Sequence, residues 1–296
     1  MKIYMIGLGK MGLNLAMNMK RNHYQITGFD ISSKALSNAN NKGINTISDL
    51  KLIATDKKAK VIWVMLPPGE ITNDTLKKLE SILFKDDIVI DGGNSDYHDS
   101  IKRADEFKQK GIPFLDIGTS GGTYGALHGA NFMVGGSESA YKKIAPLLKS
   151  ISATNGLLYC GKSGSGHYLK IIHNAILHSE LEVLGEGFSL LHASPFNYNL
   201  EEVASAWNKS AVIRGWLMKL MSEIFKNDAK LSDVNTTIHS SSAAIEAMKS
   251  AFDLNVPVPM FGVTLTMRQR TQTTDTYSAR VINSLRKEIG GYNEKK

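Results

Sequence analysis

Gly7-Leu8-Gly9-Lys10-Met11-Gly12 is the stretch that decides the fold. It follows Lys2-Ile3-Tyr4-Met5-Ile6, an apolar run of strand length, and opens a helical stretch over residues 11–21. In that setting the first glycine permits a tight turn and the second lets a pyrophosphate approach the backbone. The third allows helix and strand to pack closely, and the helix N-terminus offers N–H donors to the phosphates. A second strand, Gln25–Phe29, ends in Asp30, eighteen positions after Gly12. A carboxylate there accepts hydrogen bonds from ribose hydroxyls and repels a 2′-phosphate, so the cofactor expected is NAD, with NADP second. Leu66 and Pro67, in the turn Met65-Leu66-Pro67-Pro68 that closes the third strand, are expected beside the adenosine or pyrophosphate.

Outward from this motif, short β-like runs alternate with amphipathic helical stretches, the pattern of a parallel sheet with crossover helices. The strands expected are Lys2–Ile6, Gln25–Phe29, 61–66, 88–90, 114–117, 131–134 and 157–159. Helices are expected over 11–21, 34–42 and 71–84, with Ser32 or Ser33 capping the second. From about Gly164 the strand signals stop. An apolar-periodic segment runs over 167–192 without proline, roughly 40 Å of helix at about 1.5 Å per residue. Further helical stretches follow at 200–209, 211–226, 243–254 and 261–289. The expectation is α/β in class: a Rossmann doubly wound sheet over residues 1–163, then an all-helical domain over 164–296 for substrate and dimerisation. The joint is the flexible Gly161-Lys162-Ser163-Gly164-Ser165-Gly166, which leads into a long spine helix.

Composition narrows the function classes. The chain has 296 residues, 42% of them hydrophobic, enough for two ordinary cores. The net charge of +7 is dispersed among acids rather than gathered into a stripe or tail, which argues against a nucleic-acid partner and suits an anionic substrate. The longest apolar runs are strand-sized, so no membrane partner is expected, and the N-terminus has no cleavage pattern of a signal peptide. A single cysteine, Cys160, excludes an intrachain disulfide and fits a cytoplasmic protein. No His/Asp/Glu cluster has metal-ligand spacing, so no metal is expected.

Three segments carry the candidate chemistry. Asp91-Gly92-Gly93-Asn94-Ser95 and Gly118-Thr119-Ser120-Gly121-Gly122 each follow a strand, where an open α/β sheet binds its ligands. Asn94 and Ser120, flanked by glycines, are placed to offer donors to a bound acid, and Asn94 also to the cofactor. On the long helix Lys170, His173, Asn174 and Leu177 share one face. A lone lysine is ordinarily a surface residue and a lone histidine a satisfied core group. The cluster with its glycine-rich approach points to a site instead.

With these motifs the chain resembles the β-hydroxyacid dehydrogenase superfamily, and within it the short, NAD-type 6-phosphogluconate dehydrogenase family. The resemblance runs nearly end to end, is strongest over 1–175, and returns at Arg286-Lys287-Glu288-Ile289-Gly290-Gly291. It implies that Lys170 is the general base for the substrate hydroxyl, with Asn174 beside it in catalysis. It makes Asn94, Ser120, Gly121, Gly122 and His173 substrate ligands. It places Arg286 on a tail that reaches the partner's substrate in a homodimer, and it implies that a β-keto acid then loses CO₂.

Three positions depart from the family. The glutamic acid and tyrosine expected after the lysine are Leu177 and His178; leucine carries no proton, Glu180 is rotated off that direction, and His178 is the remaining donor. A basic Trp-Thr segment is replaced by Ser240-Ser241-Ser242-Ala243-Ala244-Ile245-Glu246, and the tail histidine is Tyr292. The alternatives are therefore oxidation with decarboxylation, a non-decarboxylating 3-hydroxyacid dehydrogenase or semialdehyde reductase, and a cofactor-binding protein without catalysis. Retention of Lys170 and Asn174 speaks against the last.

Overall fold

A computed structural model of the protein describes residues 1–239 and 242–291. The chain divides into two compact units, Met1–Ile171 and Ile172–Lys296.

In the first unit an eight-stranded sheet has the order β3-β2-β1-β4-β5-β6-β7-β8. The strands are β1 Lys2–Ile6, β2 Gln25–Phe29, β3 Asn45–Ile47, β4 Val61–Val64, β5 Ile88–Asp91, β6 Phe114–Ser120, β7 Ala130–Gly136 and β8 Ser152–Gly161. Helices α1 Lys10–Arg21, α2 Ser33–Asn41, α3 Glu70–Glu80, α4 Tyr97–Gln109, α5 Gly122–His128 and α6 Glu138–Ile151 connect them. The doubly wound Rossmann half expected from the glycine motif is present, and Ser32 caps α2, its side chain accepting from the N–H of Ala35. Two elements escape the sequence pattern: β3 is only three residues long, and Leu50–Thr55 forms a 3₁₀ turn. The sheet is also not wholly parallel. β7 runs antiparallel to β6, because the short α5 turns the chain back without crossing the sheet.

Each sheet face has its own core. Met5, Trp63, Leu115, Phe132 and Val134 meet Leu15, Met19, Ile144 and Leu148 of α1 and α6. On the other face Tyr4, Ile62, Val89 and Phe114 meet Leu76, Leu79 and Phe107 of α3 and α4. At the amino edge Lys60 and Asp87, both fully buried just before β4 and β5, form an ion pair at 2.9 Å. The Asp87 carboxylate also accepts the N–H groups of Lys60 and Phe84, and Lys60 Nζ donates to the carbonyl of Asp56.

The long helix α7, Ser165–Ala193, begins in the first unit and continues into the second. The division between the compact units falls within this helix, because its first turns pack onto the sheet. The second unit contains α8 Leu200–Ser210, α9 Trp216–Asn227, α10 Ser242–Asp253, α11 Pro259–Arg270 and α12 Tyr277–Gly290. Leu181 and Phe188 of α7 pack with Leu200, Met221, Phe225, Ile282 and Leu285. Two helical expectations need correction. The 211–226 stretch becomes a helix only from Trp216, with Gly215 at its N-cap. The 261–289 stretch is two helices, since Thr271 bonds back to the Arg268 carbonyl and Thr276 starts α12 by accepting from the Ala279 N–H. Where α12 crosses α7, a Cβ on Gly185 would stand 2.6 Å from Ser278 Oγ, so only glycine permits this packing.

Breaking a buried ion pair from one side leaves an uncompensated charge. Asp87→Asn is expected to lower unfolding stability by about 3–5 kcal/mol, measured by urea denaturation, with m unchanged.

Candidate active site

The carboxyl edge of the sheet brings the sequence motifs into one row. Gly7 has φ +96, and a Cβ there would stand 2.4 Å from the carbonyl oxygen of Met65 and 2.9 Å from Leu66 Cδ2. A Cβ on Gly12 would stand 2.0 Å from the Gly7 carbonyl oxygen. These two glycines answer to the protein's own packing. Gly9, the N-cap of α1, does not: a Cβ there meets no protein atom within 4 Å. Its lack of a side chain leaves the helix N-terminus open to a phosphate, as the Rossmann turn requires. Leu8 is buried against Gly28, Lys10 is exposed, and Met11 is packed on the core, so Leu8 and Met11 contribute backbone to this turn.

Asp30 faces the same turn. Its Oδ2 accepts the N–H of Leu8 at 2.7 Å and its Oδ1 the N–H of Ser32 at 2.8 Å. Each carboxylate oxygen keeps further acceptor capacity, so the anchored group can still receive ribose hydroxyls. Leu66 is half-buried and Pro67 exposed; the Pro67 carbonyl accepts from Thr72 Oγ1 at 2.7 Å. A Cβ on Gly93 would stand 2.4 Å from the Leu66 carbonyl, which ties the β4 turn to the β5 turn.

A buried network holds the Asp91-Gly92-Gly93-Asn94-Ser95 loop. The Asp91 carboxylate accepts from Arg103 at 2.6 Å, from Ser95 Oγ at 2.8 Å and from the N–H of Gly93 at 3.0 Å. Arg103 in turn donates to Asn73 Oδ1 from Nε and from a terminal nitrogen. Asn94 is left exposed in the left-handed region at φ +56, a conformation asparagine tolerates better than most residues. Its Oδ1 accepts the N–H of Thr119 at 3.2 Å, which fixes the carboxamide so that its amino end is the one presented. Arg103 and Asn73 were not expected from sequence; an arginine on an amphipathic helix gives no signal until the fold buries it.

Next to β5 lies β6, whose end carries Ser120 and then the paired left-handed glycines Gly121 and Gly122, at φ +107 and +63. These turn the chain into α5. Against the same strand sits the first part of α7. Asp116, fully buried, accepts the N–H of Gly164 at 2.8 Å and of His167 at 3.0 Å. His167 is also buried, with Nδ1 2.8 Å from Ser100 Oγ. Lys170 is 6% exposed, and burial pulls its ammonium down to a pKa of about 8. Asp116 and His167 are further residues that sequence reasoning passed over.

The remaining candidates belong to the second unit. His173 Nδ1 lies 3.1 Å from Asn174 Oδ1, one turn after Lys170 along α7. Leu177 packs with the helical core, His178 is half-buried and Glu180 exposed. Arg286, on α12, donates to Asn283 Oδ1 at 2.6 Å and lines a cavity of about 300 Å³ with Asp228, Asp233 and Glu288. Ile245 is on α10; Ser240, Ser241 and Tyr292 lie outside the described residues. Among the described residues no group of three His, Cys, Asp or Glu side chains could hold a metal, and no helix is long and apolar enough to cross a membrane.

Residues 2–161 match the NAD binding domain of 6-phosphogluconate dehydrogenase, and residues 166–291 match the 6-phosphogluconate dehydrogenase C-terminal domain. The chain belongs to the 6-phosphogluconate dehydrogenase family. It is 41% identical to a Bacillus subtilis protein, YqeC, named after the same enzyme, over 99% of this chain and 98% of that one. The NAD(+)-dependent, decarboxylating 6-phosphogluconate dehydrogenase of Haloferax volcanii is 35% identical over 98% of this chain and 97% of its own length. Among solved structures, Plasmodium falciparum 6-phosphogluconate dehydrogenase superposes with TM-score 0.82 at 24% identity, over 92% of this chain and 62% of that one. The 3-hydroxyisobutyrate dehydrogenase of Salmonella typhimurium superposes with TM-score 0.77 at 19% identity, over 95% and 98%. These two likenesses show a shared fold, and this chain spans less than two thirds of the Plasmodium protein. The 6-phosphogluconate dehydrogenase family consists of dehydrogenases that act on CH–OH groups with a nicotinamide cofactor, and this chain is one of them.

The two glycines of the turn separate in a melting experiment. Gly12→Ala is expected to lower stability by about 1–3 kcal/mol through overpacking against Gly7. Gly9→Ala should stay within about 1 kcal/mol of the parent, since alanine there meets no neighbour.

Proposed function

We propose that this dehydrogenase prefers NAD and oxidises the β-hydroxyl of a small anionic 3-hydroxyacid of the 6-phosphogluconate type, with Lys170 as general base. The observation that carries this is the buried Lys170 at the carboxyl edge of β6, its pKa drawn to about 8 by desolvation. A general base works best when its pKa is near the working pH, and an ordinary exposed lysine is too fully protonated to serve. The cofactor's pyrophosphate falls to the backbone at Gly7, Gly9 and Gly12, its ribose to Asp30, and its neighbourhood to Leu8, Lys10, Met11, Leu66, Pro67 and Asn94. When bound, the nicotinamide supplies the hydride acceptor.

The chain's own residues do the rest. Neutral Lys170 Nζ takes the hydroxyl proton as the carbon is oxidised, and the resulting ammonium polarises the new carbonyl. Asn94 offers its amino group, oriented by the Thr119 N–H. Ser120, Gly121, Gly122, His173 and Asn174 orient the acid, and His178, with Arg286 reaching in from a second copy, completes its recognition.

A second outcome is favoured by Leu177. Where relatives of the decarboxylating kind are expected to hold a proton donor, this side chain is apolar and packed with the helical core. Without a donor the enediol left by CO₂ loss goes unprotonated, which favours an enzyme whose reaction ends at the keto acid unless His178 delivers the proton.

One tube decides between them: purified protein, NAD and 6-phosphogluconate, with NADH absorbance and CO₂ followed together. Equal NADH and CO₂ supports the decarboxylating reading, NADH without CO₂ the second, and no NADH despite cofactor binding refutes 6-phosphogluconate as substrate. NADP in place of NAD should turn over more slowly. Activity should rise with pH and level off above about 8, where Lys170 is neutral. Lys170→Met should lose about 10²–10⁴-fold in kcat while still binding NADH.

We further infer that a second copy of the chain covers the second unit. Ile176, Val183 and Leu190 are exposed at seven-residue intervals on α7, and Phe252, Leu254, Met260 and Val263 are exposed on and around α10 and α11. Such a stripe is what a self-complementary interface buries. Sedimentation should return twice the chain mass; a monomer at micromolar concentration would count against the dimer.

A further inference from the structure

We propose that Asp116 and Gly118 of β6 are positioning residues for Lys170: the carboxylate ties down the first turn of α7 and the bare glycine backbone lets the lysine sit against the strand. This deepens the proposed function, since it rests on Lys170 being the base.

The geometry has five parts. A Cβ on Gly118 would stand 2.5 Å from Lys170 Cβ and 3.1 Å from its Cγ, so the stem of the lysine lies on the strand where any side chain would be. A Cβ on Gly166 would stand 2.4 Å from the Asp116 carbonyl oxygen and 2.5 Å from that of Met133, so the first turn of α7 rests on both β6 and β7. A Cβ on Gly135 would stand 2.6 Å from the Gly166 nitrogen and 2.7 Å from both Asp116 carboxylate oxygens. The carboxylate itself takes two N–H groups at the opening of α7, those of Gly164 and His167. On the α4 side Ser100 holds the His167 ring, and a Cβ on Gly164 would stand 2.8 Å from Ile101 Cγ1.

This arrangement does more than cap a helix. A capping aspartate on the surface stabilises by about 0.5–2 kcal/mol and leaves its helix free to shift. Here the cap is fully buried and the helix is pressed to backbone contact, so small displacement of the first turn moves Lys170 off the strand and lets water reach it. Desolvation is what lowers the lysine's pKa. Titratable and charged groups on the packed elements include Asp116 of β6, His167 and Tyr168 of α7, Tyr97, His98, Asp99 and Arg103 of α4, and Tyr159 and Cys160 of β8, the last two close enough to feel the Asp116 charge.

Two variants test the proposal without needing a substrate. Lys170 is labelled with acetic anhydride across a pH series, in wild type, Asp116→Asn and Gly118→Ala, and the modified peptide is quantified by mass spectrometry. Wild type should titrate near 8. In Gly118→Ala the added methyl displaces the lysine, and the midpoint should climb by about one pKa unit or more toward that of a solvated lysine. Asparagine keeps the shape of Asp116 but turns an amino group toward one of the two N–H donors. Because its lost charge and its loosened turn push the midpoint in opposite directions, its readout is the labelling rate at high pH, which should rise several-fold. Affinity for NADH, whose pyrophosphate and ribose contacts at Gly7–Gly12 and Asp30 lie away from the variant positions, should stay within about twofold of wild type, a difference well under 1 kcal/mol.

A cooperatively folded variant whose labelling curve superimposes on wild type overturns the proposal. If Gly118→Ala does not fold, Asp116→Asn decides alone. Should the labelling change as expected while Lys170→Met keeps turning over, the seat stands and the assignment of Lys170 as base falls instead.

Discussion

Backbone lies against backbone where α7 meets β6 and β7, and the setting of Lys170 depends on that closeness. Gly118, Gly135 and Gly166 remove the side chains that would hold helix and sheet apart. The contact is energetically possible only because Asp116 satisfies N–H groups that a buried helix start would otherwise leave unpaired. From it follow the burial of Lys170 and the fall in its pKa. The same lysine on an exposed helix would be a solvated cation.

The two edges of the sheet solve opposite problems. At the amino edge Lys60 and Asp87 are fully buried and their polar atoms are consumed within the protein. At the carboxyl edge the turns are built from glycine, and the polar groups that remain point outward: the Gly9 helix start, the outer lone pairs of Asp30 and the amino end of Asn94. Across β2, β1, β4, β5 and β6 this row is roughly 19 Å wide at about 4.8 Å per strand. That is the scale of an extended dinucleotide with a small acid at its end. The Asp91–Arg103–Asn73 network makes the middle of the row rigid, so Asn94 is held in its left-handed conformation by groups that never face the ligand.

Much of this was legible in the sequence, for reasons that differ by residue. The Rossmann half declares itself because its glycines sit between a strand and a helix and its acid ends the next strand, a spacing that local chemistry enforces. The helical half does not. No proline or glycine interrupts Thr271 to Thr276, so one stretch over 261–289 reads as a single helix, and the break shows only in the threonine hydroxyls that bond to the main chain. β3 is too short to show a period, and the antiparallel β7 has the same composition as a parallel strand. In the site, Lys170 and Asn94 were visible as polar residues in apolar or glycine-rich settings. Asp116, Arg103 and His167 were not, because a buried carboxylate, guanidinium or imidazole looks like a surface residue until its partners, remote in sequence, are known.

The division of the chain inside α7 places Lys170 with the sheet and Asn174 with the helical bundle. One uninterrupted helix thus belongs to two packing neighbourhoods. Leu177 packs into the bundle core, so a change of side chain there leaves the Asp116 and Gly118 contacts at the start of the helix untouched.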